Sequence, residues 1–316
     1  MKIFSRLLST LLLGVAALSA APVVQAADTV LRIGYQKYGT LILLKARGTL
    51  EKRLAPLGVS VTWTEFPAGP QLLEGLNVGS IDFGTVGETP PIFAQAANAQ
   101  ITYVGYEPPA PAGEAIVVQN TSTIKSVADL KGKKIVLNKG SNVHYLLVRA
   151  LEQAGLKYSD VEVVFLPPAD ARAAFERGSV DAWVIWDPFL AAAETSIGAR
   201  VLKDGKAIVN NHQFYLAEKT YASRRSDVIA ATFDELKKVD EWAQSKPKEV
   251  AEALVPLTGL NVPTLERALV RGGYGVSYLN DKVIAEQQKI ADTFFGLKLI
   301  PKALNIRDVV WIPTKK

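Results

Sequence analysis

Residues 79–91 read Gly-Ser-Ile-Asp-Phe-Gly-Thr-Val-Gly-Glu-Thr-Pro-Pro. This pattern predicts a turn, a short buried strand over residues 81–85, and a second turn into a helix that begins at Thr89 and Pro90. Threonine can cap such a helix, and proline favours its first turn because the missing N–H has no helical partner there. Residues 178–188, Gly-Ser-Val-Asp-Ala-Trp-Val-Ile-Trp-Asp-Pro, repeat the unit. Two copies predict two similar lobes, each directing a helix N-terminus at the space between them.

Strands and amphipathic helices alternate around both copies, which favours an α/β fold with parallel sheets covered on both faces. The proline-rich residues 107–113 and the later residues 209–215 each fit a crossover between lobes. From residue 227 onward the pattern is helical, and we expect this tail to pack on the first lobe. The sequence therefore predicts two βα lobes joined by two crossover segments, a hinge architecture. The expected boundaries are residues 27–114 and 212–316 for the first lobe and residues 115–211 for the second.

The N-terminus has the features of a cleavable secretory signal peptide over residues 1–26. Lys2 and Arg6 precede an apolar run, which ends near the Val24-Gln25-Ala26 cleavage pattern. Removing these 26 of the 316 residues leaves 290, enough for two domains, and lowers the net charge from +5 to +3 because two basic residues are lost. The chain contains no cysteine, which excludes disulfides, thiolate metal sites and a lipidated cysteine anchor. We expect a periplasmic protein whose mild positive charge suits a small anion and requires neither nucleic acid nor a membrane surface.

Four predicted strand-to-helix turns carry short polar side chains. Ligands of open α/β sheets collect at such turns, and a helix N-terminus offers N–H donors and partial positive charge to an anion. Several converging turns could hold an oxyanion without a lysine; the alternative is that the Ser, Thr and Asp side chains only cap their helices. The turns are Gly39-Thr40, Gly87-Glu88-Thr89, Gly140-Ser141-Asn142 and Trp186-Asp187-Pro188.

Two charged residues near helix starts have alternative interpretations. Glu88 could be stabilised by the helix dipole, or it could face the cleft, repel a dianion and accept an amine or hydroxyl. Arg172 could pair with Asp170 or with the ligand.

A tryptophan and a histidine are the remaining candidate ligand-binding residues. Trp183 and Trp186 lie on opposite faces of one strand, and we expect Trp186 to face the cleft. His144 lies one helical turn after Ser141 and could look toward the same space, or could be an ordinary buried or surface histidine. Two histidines without cysteine argue against zinc, and Ser141 with His144 lacks an acid partner for a hydrolase triad. His212 has no evident partners.

Several segments together resemble the aliphatic sulfonate-binding proteins of bacterial ABC importers. They are residues 34–37, 65–71, 87–96, 169–175 and 182–188. The resemblance covers the mature chain to about residue 210 and continues more loosely through residues 306–313, whereas residues 271–276 depart from the usual pattern. It implies a type II periplasmic binding protein that captures alkanesulfonates as a sulfur source, without a cofactor, and delivers them to a membrane permease and its ATPase. By position it places Gln36, Gly87, Glu88, Thr89, Ser141, Asn142, His144, Trp186 and Asp187 in the cleft.

The working hypothesis is that Thr89 and Ser141, with neighbouring N–H groups, bind the sulfonate while Trp186 contacts its tail. Sibling specificities for taurine, nitrate or a pyrimidine precursor of thiamine stay open, since Glu88 and Asp187 could accept the ammonium of taurine. Desulfinase enzymes on this scaffold use a cysteine nucleophile, which this chain lacks. We expect a monomeric binding protein with no enzymatic activity.

Overall fold

The computed structural model describes residues 29–312, so the signal peptide predicted for residues 1–26 lies outside the described residues. In this part of the chain, ten strands form two five-stranded sheets. The strands are β1 (Val30–Tyr35), β2 (Ser60–Glu65), β3 (Phe83–Gly87), β4 (Ile101–Tyr106), β5 (Glu114–Val118), β6 (Lys134–Leu137), β7 (Glu162–Phe165), β8 (Ala182–Trp186), β9 (Arg200–Asp204) and β10 (Gln213–Glu218). The first sheet has the order β2-β1-β3-β10-β4 and the second the order β7-β6-β8-β5-β9.

The predicted alternation of strands and helices is present in both lobes. The first lobe has helices α1 (Thr40–Arg47), α2 (Leu50–Leu54), α3 (Gly69–Asn77) and α4 (Pro90–Ala96). The second has α5 (Asn142–Gln153), α6 (Pro168–Glu176) and α7 (Phe189–Ser196). The C-terminal tail adds α8 (Lys219–Arg224), α9 (Ser226–Ser245), α10 (Pro247–Thr258), α11 (Val262–Leu269) and α12 (Asp281–Gly296). Within the described residues, no helix combines the length and apolar character needed to span a membrane.

The α/β fold is confirmed, but each sheet is mixed and not parallel throughout. β10 runs antiparallel between β3 and β4, and β5 runs antiparallel between β8 and β9. These two strands directly follow the crossovers, so the chain enters each sheet from the opposite end. Strand β9 was also missed, because its sequence, Arg-Val-Leu-Lys-Asp, alternates too weakly to be recognised.

A glycine separates the first two helices of the chain. Gly48 adopts φ +63°, a left-handed conformation that ends α1, and α2 begins two residues later. The first helix of the chain is therefore short, and its N-terminus at Gly39-Thr40 stays at the edge of the sheet.

The two crossover segments run side by side. The first connects β4 to β5 and the second connects β9 to β10, and they share backbone hydrogen bonds. Ala110 N donates to Asn210 O at 3.0 Å, and Gly205 N donates to Pro111 O at 3.0 Å. This is the predicted hinge arrangement of two lobes joined by two connections; the lobe boundaries given above stay a prediction.

The helical tail packs on the first sheet and also reaches the second lobe. One buried cluster joins β1 to α1, α9, α10 and α11, through residues such as Leu31, Leu41, Leu236 and Leu265. Another apolar cluster continues from the second sheet to α12, where Phe294 is fully buried. The lobes therefore lie against each other, with α11 and α12 at the boundary.

Candidate functional site

Two of the predicted polar turns meet across the boundary between the lobes. A Cβ atom on Gly87 would lie 2.9 Å from Cβ of Asn142, so the backbone after β3 approaches the start of α5 closely. The side chain of Asn142 donates to Glu114 Oε2 at 2.5 Å and to Asn211 Oδ1 at 3.1 Å. Asn142 thus contacts the start of β5, in the second sheet, and the second crossover segment.

Glu88 follows Gly87 and is buried, with 1% of its surface exposed. Its Oε2 accepts the backbone N–H of His212 at 3.1 Å, while Oε1 is buried without a hydrogen-bond partner among residues 29–312. Burial raises the pKa of Glu88 to about 8. A carboxyl with that pKa is mostly protonated at pH 7. The helix dipole, which would stabilise an ionised Glu88, therefore does not set its charge, and Glu88 repels anions only weakly at this pH.

Glu114, which the sequence reasoning missed, faces the same region from the other lobe. It is fully buried, and burial followed by the proximity of Glu88 raises its pKa well above the ordinary range. Burial and the nearby Glu114 and Glu88 carboxyls also raise the pKa of the Tyr38 hydroxyl. The available signal was a glutamate at the start of the otherwise apolar β5, Glu-Ala-Ile-Val-Val.

Thr89 and Ser141 occupy N-cap positions without using their side chains as caps. Thr89 Oγ1 is buried and has no hydrogen-bond partner in the described part of the chain. Ser141 Oγ donates to Asn138 O at 2.7 Å. The interpretation that these hydroxyls merely cap their helices is therefore wrong, and Thr89 carries a buried hydroxyl that a ligand could engage.

His144 lies in an aromatic cluster that bridges the lobes. Its ring centroid is 5.4 Å from that of Phe294 and 6.2 Å from that of Phe93, both on the first lobe. Nδ1 accepts the Gly140 N–H at 3.3 Å, which leaves the proton on Nε2, 2.8 Å from the Tyr158 hydroxyl. Burial lowers the pKa of His144 to about 4, so the ring is neutral and contributes packing at neutral pH.

The second histidine also has specific partners. His212 is buried, and its ring nitrogens lie 2.8 Å from Glu107 O and 3.2 Å from Glu286 Oε2. The expectation that His212 has no partners is therefore wrong, because β10 brings it back against the first crossover. Its backbone also positions Glu88.

A pocket opens beside this cluster. Gly39, Thr40 and Asp187 line it, so a third and a fourth predicted turn also meet. The apolar wall consists of Ile42, Leu43, Leu254, Leu265 and Leu269. Tyr38 and Asn211 line the same pocket, and Asn211 also accepts a hydrogen bond from Asn142, so the pocket neighbours the polar cluster.

Asp187 lies at one end of the pocket. Its Oδ1 accepts the Ala191 N–H at 3.0 Å, inside the first turn of α7, and the Asp187–Pro188 peptide is cis. Arg271 Nη1 is 3.4 Å from each Asp187 oxygen. Burial raises the pKa of Asp187 to about 7 although Arg271 opposes that shift. Residues 271–274, part of the segment that departs from the family pattern, all line this pocket.

The remaining predicted residues lie around the site or away from it. Trp186 is buried and opposes Glu114 across the β5–β8 pair, but it packs edge-on against Phe189 and does not line the pocket. Gln36 donates to Thr85 O at 3.0 Å. Thr40 donates to Glu107 Oε1 at 3.1 Å and also contacts the Tyr215 hydroxyl.

Arg172 lies on the outer surface of α6. It donates to Glu176 Oε1 at 2.7 Å, so pairing with Asp170 is not observed. The i to i+4 spacing explains this choice, because those side chains are neighbours on a helix. Its role toward a ligand stays a prediction. Among the described residues, no group of three or more His, Asp or Glu side chains could hold a metal ion.

Comparison with known proteins agrees with this architecture. A family model described as "NMT1/THI5 like" matches residues 57–250. A putative aliphatic sulfonates-binding protein of Escherichia coli K12 is 47% identical over 287 residues, 90% of this chain and 89% of the relative.

Solved structures extend the comparison. The alkanesulfonate-binding protein SsuA from Xanthomonas axonopodis pv. citri, bound to MOPS, is 42% identical with a TM-score of 0.87, over 90% of this chain and 99% of that one. The desulfurization enzyme DSZB shares the fold with a TM-score of 0.64 over 90% of this chain and 96% of that one; at 16% identity this likeness concerns the fold alone.

Proposed function

Since the chain belongs to the NMT1/THI5-like family and, within it, to the aliphatic sulfonate-binding proteins, we propose that it captures alkanesulfonates between its lobes for ABC import. The observation that carries this proposal is a cluster of buried polar atoms at the lobe boundary. Thr89 Oγ1, Glu88 Oε1 and Glu114 Oε1 are each buried and without a hydrogen-bond partner in residues 29–312. Such groups are unfavourable unless water or a ligand satisfies them, and a bound ligand can do so.

The chemistry of this cluster suits a sulfonate. A sulfonate is a monoanion whose three oxygens only accept hydrogen bonds, so it needs donors more than a countercharge. Thr89 Oγ1 can donate, and a carboxyl with a raised pKa, such as Glu88 or Glu114, donates when it is protonated. The first-turn N–H groups of α5, beside Ser141, supply further donors.

The adjoining pocket suits the organic tail. Its wall of Ile and Leu side chains buries apolar surface, at about 25 cal/mol per Å² removed from water. We propose that the tail enters past Tyr38 and Asn211, which line the pocket. Trp186 was expected to contact the tail; because it lies opposite Glu114 and does not line the pocket, we propose instead that it lies near the head group.

Lobe closure would complete the site. Gly87 on one lobe and Asn142 on the other enclose the cluster, while His144 packs between Phe93 and Phe294. Ligand binding would favour this arrangement, and the permease would recognise the surface that closure creates. We further propose a periplasmic location reached through the signal peptide, a monomeric state, and a permease and ATPase as partners.

Two other functions receive less support. Taurine carries an ammonium group, which would bind best beside ionised carboxylates, whereas burial raises the pKa of Glu88 and Glu114. An enzymatic role of the desulfinase type would need a nucleophile to replace cysteine, which this chain does not contain. We therefore propose a binding protein without catalytic activity.

Calorimetric titration of ligand-stripped protein tests the proposal. The panel is butanesulfonate, taurine, sulfate, nitrate and butyrate, so that head group, charge and tail vary separately. We expect micromolar or tighter binding of butanesulfonate, about −8 kcal/mol or better, and at least tenfold weaker binding of the others. Tightest binding of taurine would assign the carboxyls to an amine, and equal binding of butyrate would contradict selection of the sulfonate.

A further inference from the structure

The second lobe meets the C-terminal tail of the first lobe where α7 lies against α11. The apolar side chains of α7, such as Leu190 and Ala193, are buried in the cluster that contains the second sheet. Those of α11, Leu265 and Leu269, are buried in the cluster that joins β1 to α1 and α9. The boundary between the two apolar clusters therefore passes between these two helices, and we call this boundary the α7–α11 seam.

Polar bonds cross the α7–α11 seam, and three of them meet at Glu194 on α7. Arg267 donates to both oxygens of Glu194, with Nε 3.0 Å from Oε2 and Nη2 2.9 Å from Oε1. Arg271, just after α11, donates from Nη2 to the same Oε2 at 2.5 Å. The hydroxyls of Thr195 and Thr264 also lie 2.9 Å apart across the seam. One carboxylate of the second lobe thus binds two guanidinium groups of the first.

This charge cluster is only partly shielded from water. The side chains of Glu194 and Arg271 are 13% and 17% exposed, whereas that of Arg267 is 49% exposed. Burial would raise the pKa of Glu194, but the hydrogen bonds from Arg267 and Arg271 lower it overall, so Glu194 is ionised at neutral pH. Charged side chains regain water when two helices part, and breaking such bonds therefore costs less than exposing an apolar surface of the same size. The seam is suited to reversible contact.

The cluster lies beside the ligand pocket. Arg271 lines the pocket, and its Nη1 binds both oxygens of Asp187 at 3.4 Å. Arg267 and Glu194 are not among the described residues that line it. A change at Arg267 or Glu194 therefore acts on a bound ligand through the relative position of the lobes and not through direct contact.

We propose that Glu194, Arg267 and Arg271 form an interlobe latch, which holds the lobes closed over a bound ligand and slows its release. The inference rests on the proposed function, because it requires a ligand that binds between the lobes. Glu194 moves with the second lobe and both arginines move with the first, so separation of the lobes at the seam breaks the latch. Bonds made only in the closed state stabilise the bound complex and leave the encounter of ligand and open protein unchanged.

The kinetics of ligand release test the latch. Stopped-flow tryptophan fluorescence gives the association and dissociation rate constants of butanesulfonate, and calorimetry gives the dissociation constant independently. We expect Arg267→Gln to raise the dissociation rate constant about fivefold, the factor that a well-aligned, partly exposed ion pair contributes, with the association rate constant changed less than twofold. In a Glu194→Gln background, Arg267→Gln should have almost no further effect, because its partner carboxylate is already lost.

Arg53→Gln is the matched control. Arg53 on α2 pairs with Asp234 on α9, so this salt bridge also joins two helices, but both helices pack on the first sheet. The Arg53 side chain is 41% exposed, close to the value for Arg267. We expect Arg53→Gln to leave both rate constants unchanged. Urea unfolding of both variants completes the comparison, since a merely structural role of Arg267 would lower stability without accelerating ligand release.

The outcomes separate the latch from the proposed function. If butanesulfonate does not bind the unmodified protein in calorimetry, the proposed function is overturned, and the latch with it. If butanesulfonate binds, the latch alone is overturned by an unchanged dissociation rate constant in Arg267→Gln, or by a change confined to the association rate constant. The same acceleration by Arg267→Gln in the Glu194→Gln background would also overturn it, because the effect would not pass through Glu194.

Discussion

Glu88 should make sulfonate binding depend on pH in the alkaline range. Its pKa is raised to about 8 by burial, and only the protonated carboxyl can donate a hydrogen bond to a sulfonate. Between about pH 8 and pH 10 the protonated fraction falls from about one half to about 0.01, so the apparent dissociation constant should rise about fifty-fold. Asp187, with a pKa of about 7, is already mostly ionised throughout this range and adds little to the slope.

Calorimetry with butanesulfonate checks this, because the ligand itself does not titrate in the range. Glu88→Gln keeps the shape of the side chain and a permanent donor while removing the ionisation. The variant should lose the fifty-fold factor and bind more tightly than the unmodified protein at the alkaline end. If the unmodified protein binds equally well across the range, or if Glu88→Gln shows the same slope, Glu88 does not donate to the sulfonate.

Three further predictions follow from individual contacts. Thr89→Ala should weaken butanesulfonate binding about tenfold, since Oγ1 is a buried donor, while Thr89→Ser should retain the affinity. Unchanged affinity of Thr89→Ala in calorimetry would contradict the head-group assignment. Gly273→Ala should lower the free energy of unfolding in urea by about 1–3 kcal/mol, because the added Cβ would meet Pro108 O at 2.2 Å. Gly296→Ala is the control: this glycine lies on α12 with open space around it, so the substitution should be neutral or slightly stabilising. The melting temperature should fall as pH rises from about 5 to about 8. Burial raises the pKa of Glu88 in the folded state, so the stability that its protonation contributes is complete below the pKa of the unfolded state and is lost as pH rises through the pKa of the folded state. Glu88→Gln should reduce that fall.

Much of the fold could be predicted from local patterns. The repeated strand-to-helix unit, the helices of the C-terminal tail and the proline-rich crossover all appear in the structure near their predicted positions. Hydrophobic periodicity and turn chemistry depend on neighbours along the chain, so the sequence contains them directly. The antiparallel direction of β5 and β10 does not follow from such patterns, since it depends on how the crossovers re-enter the sheets.

The candidate site, like the fold, could be predicted from the sequence only in part. The polar turns at Gly87-Glu88-Thr89 and Ser141-Asn142 carry signals in their own sequence, and the tertiary structure brings Gly87 and Asn142 together. Glu114 and Arg271 were not predicted as site residues, because each is an ordinary charged residue within its own segment. Their significance arises from burial and from partners far away in the chain, Asn142 for Glu114 and Glu194 for Arg271.

The sequence by itself determined which segments form strands, helices and polar turns, because those properties depend on neighbouring residues. Only the tertiary structure decided the pKa values of the buried carboxyls in the site. Burial in a low-dielectric interior disfavours the charged carboxylate, and that burial exists only once two lobes and two crossovers have packed together. From the sequence, Glu88 could either be stabilised by the helix dipole or repel a dianion; the folded structure adds the burial that raises its pKa.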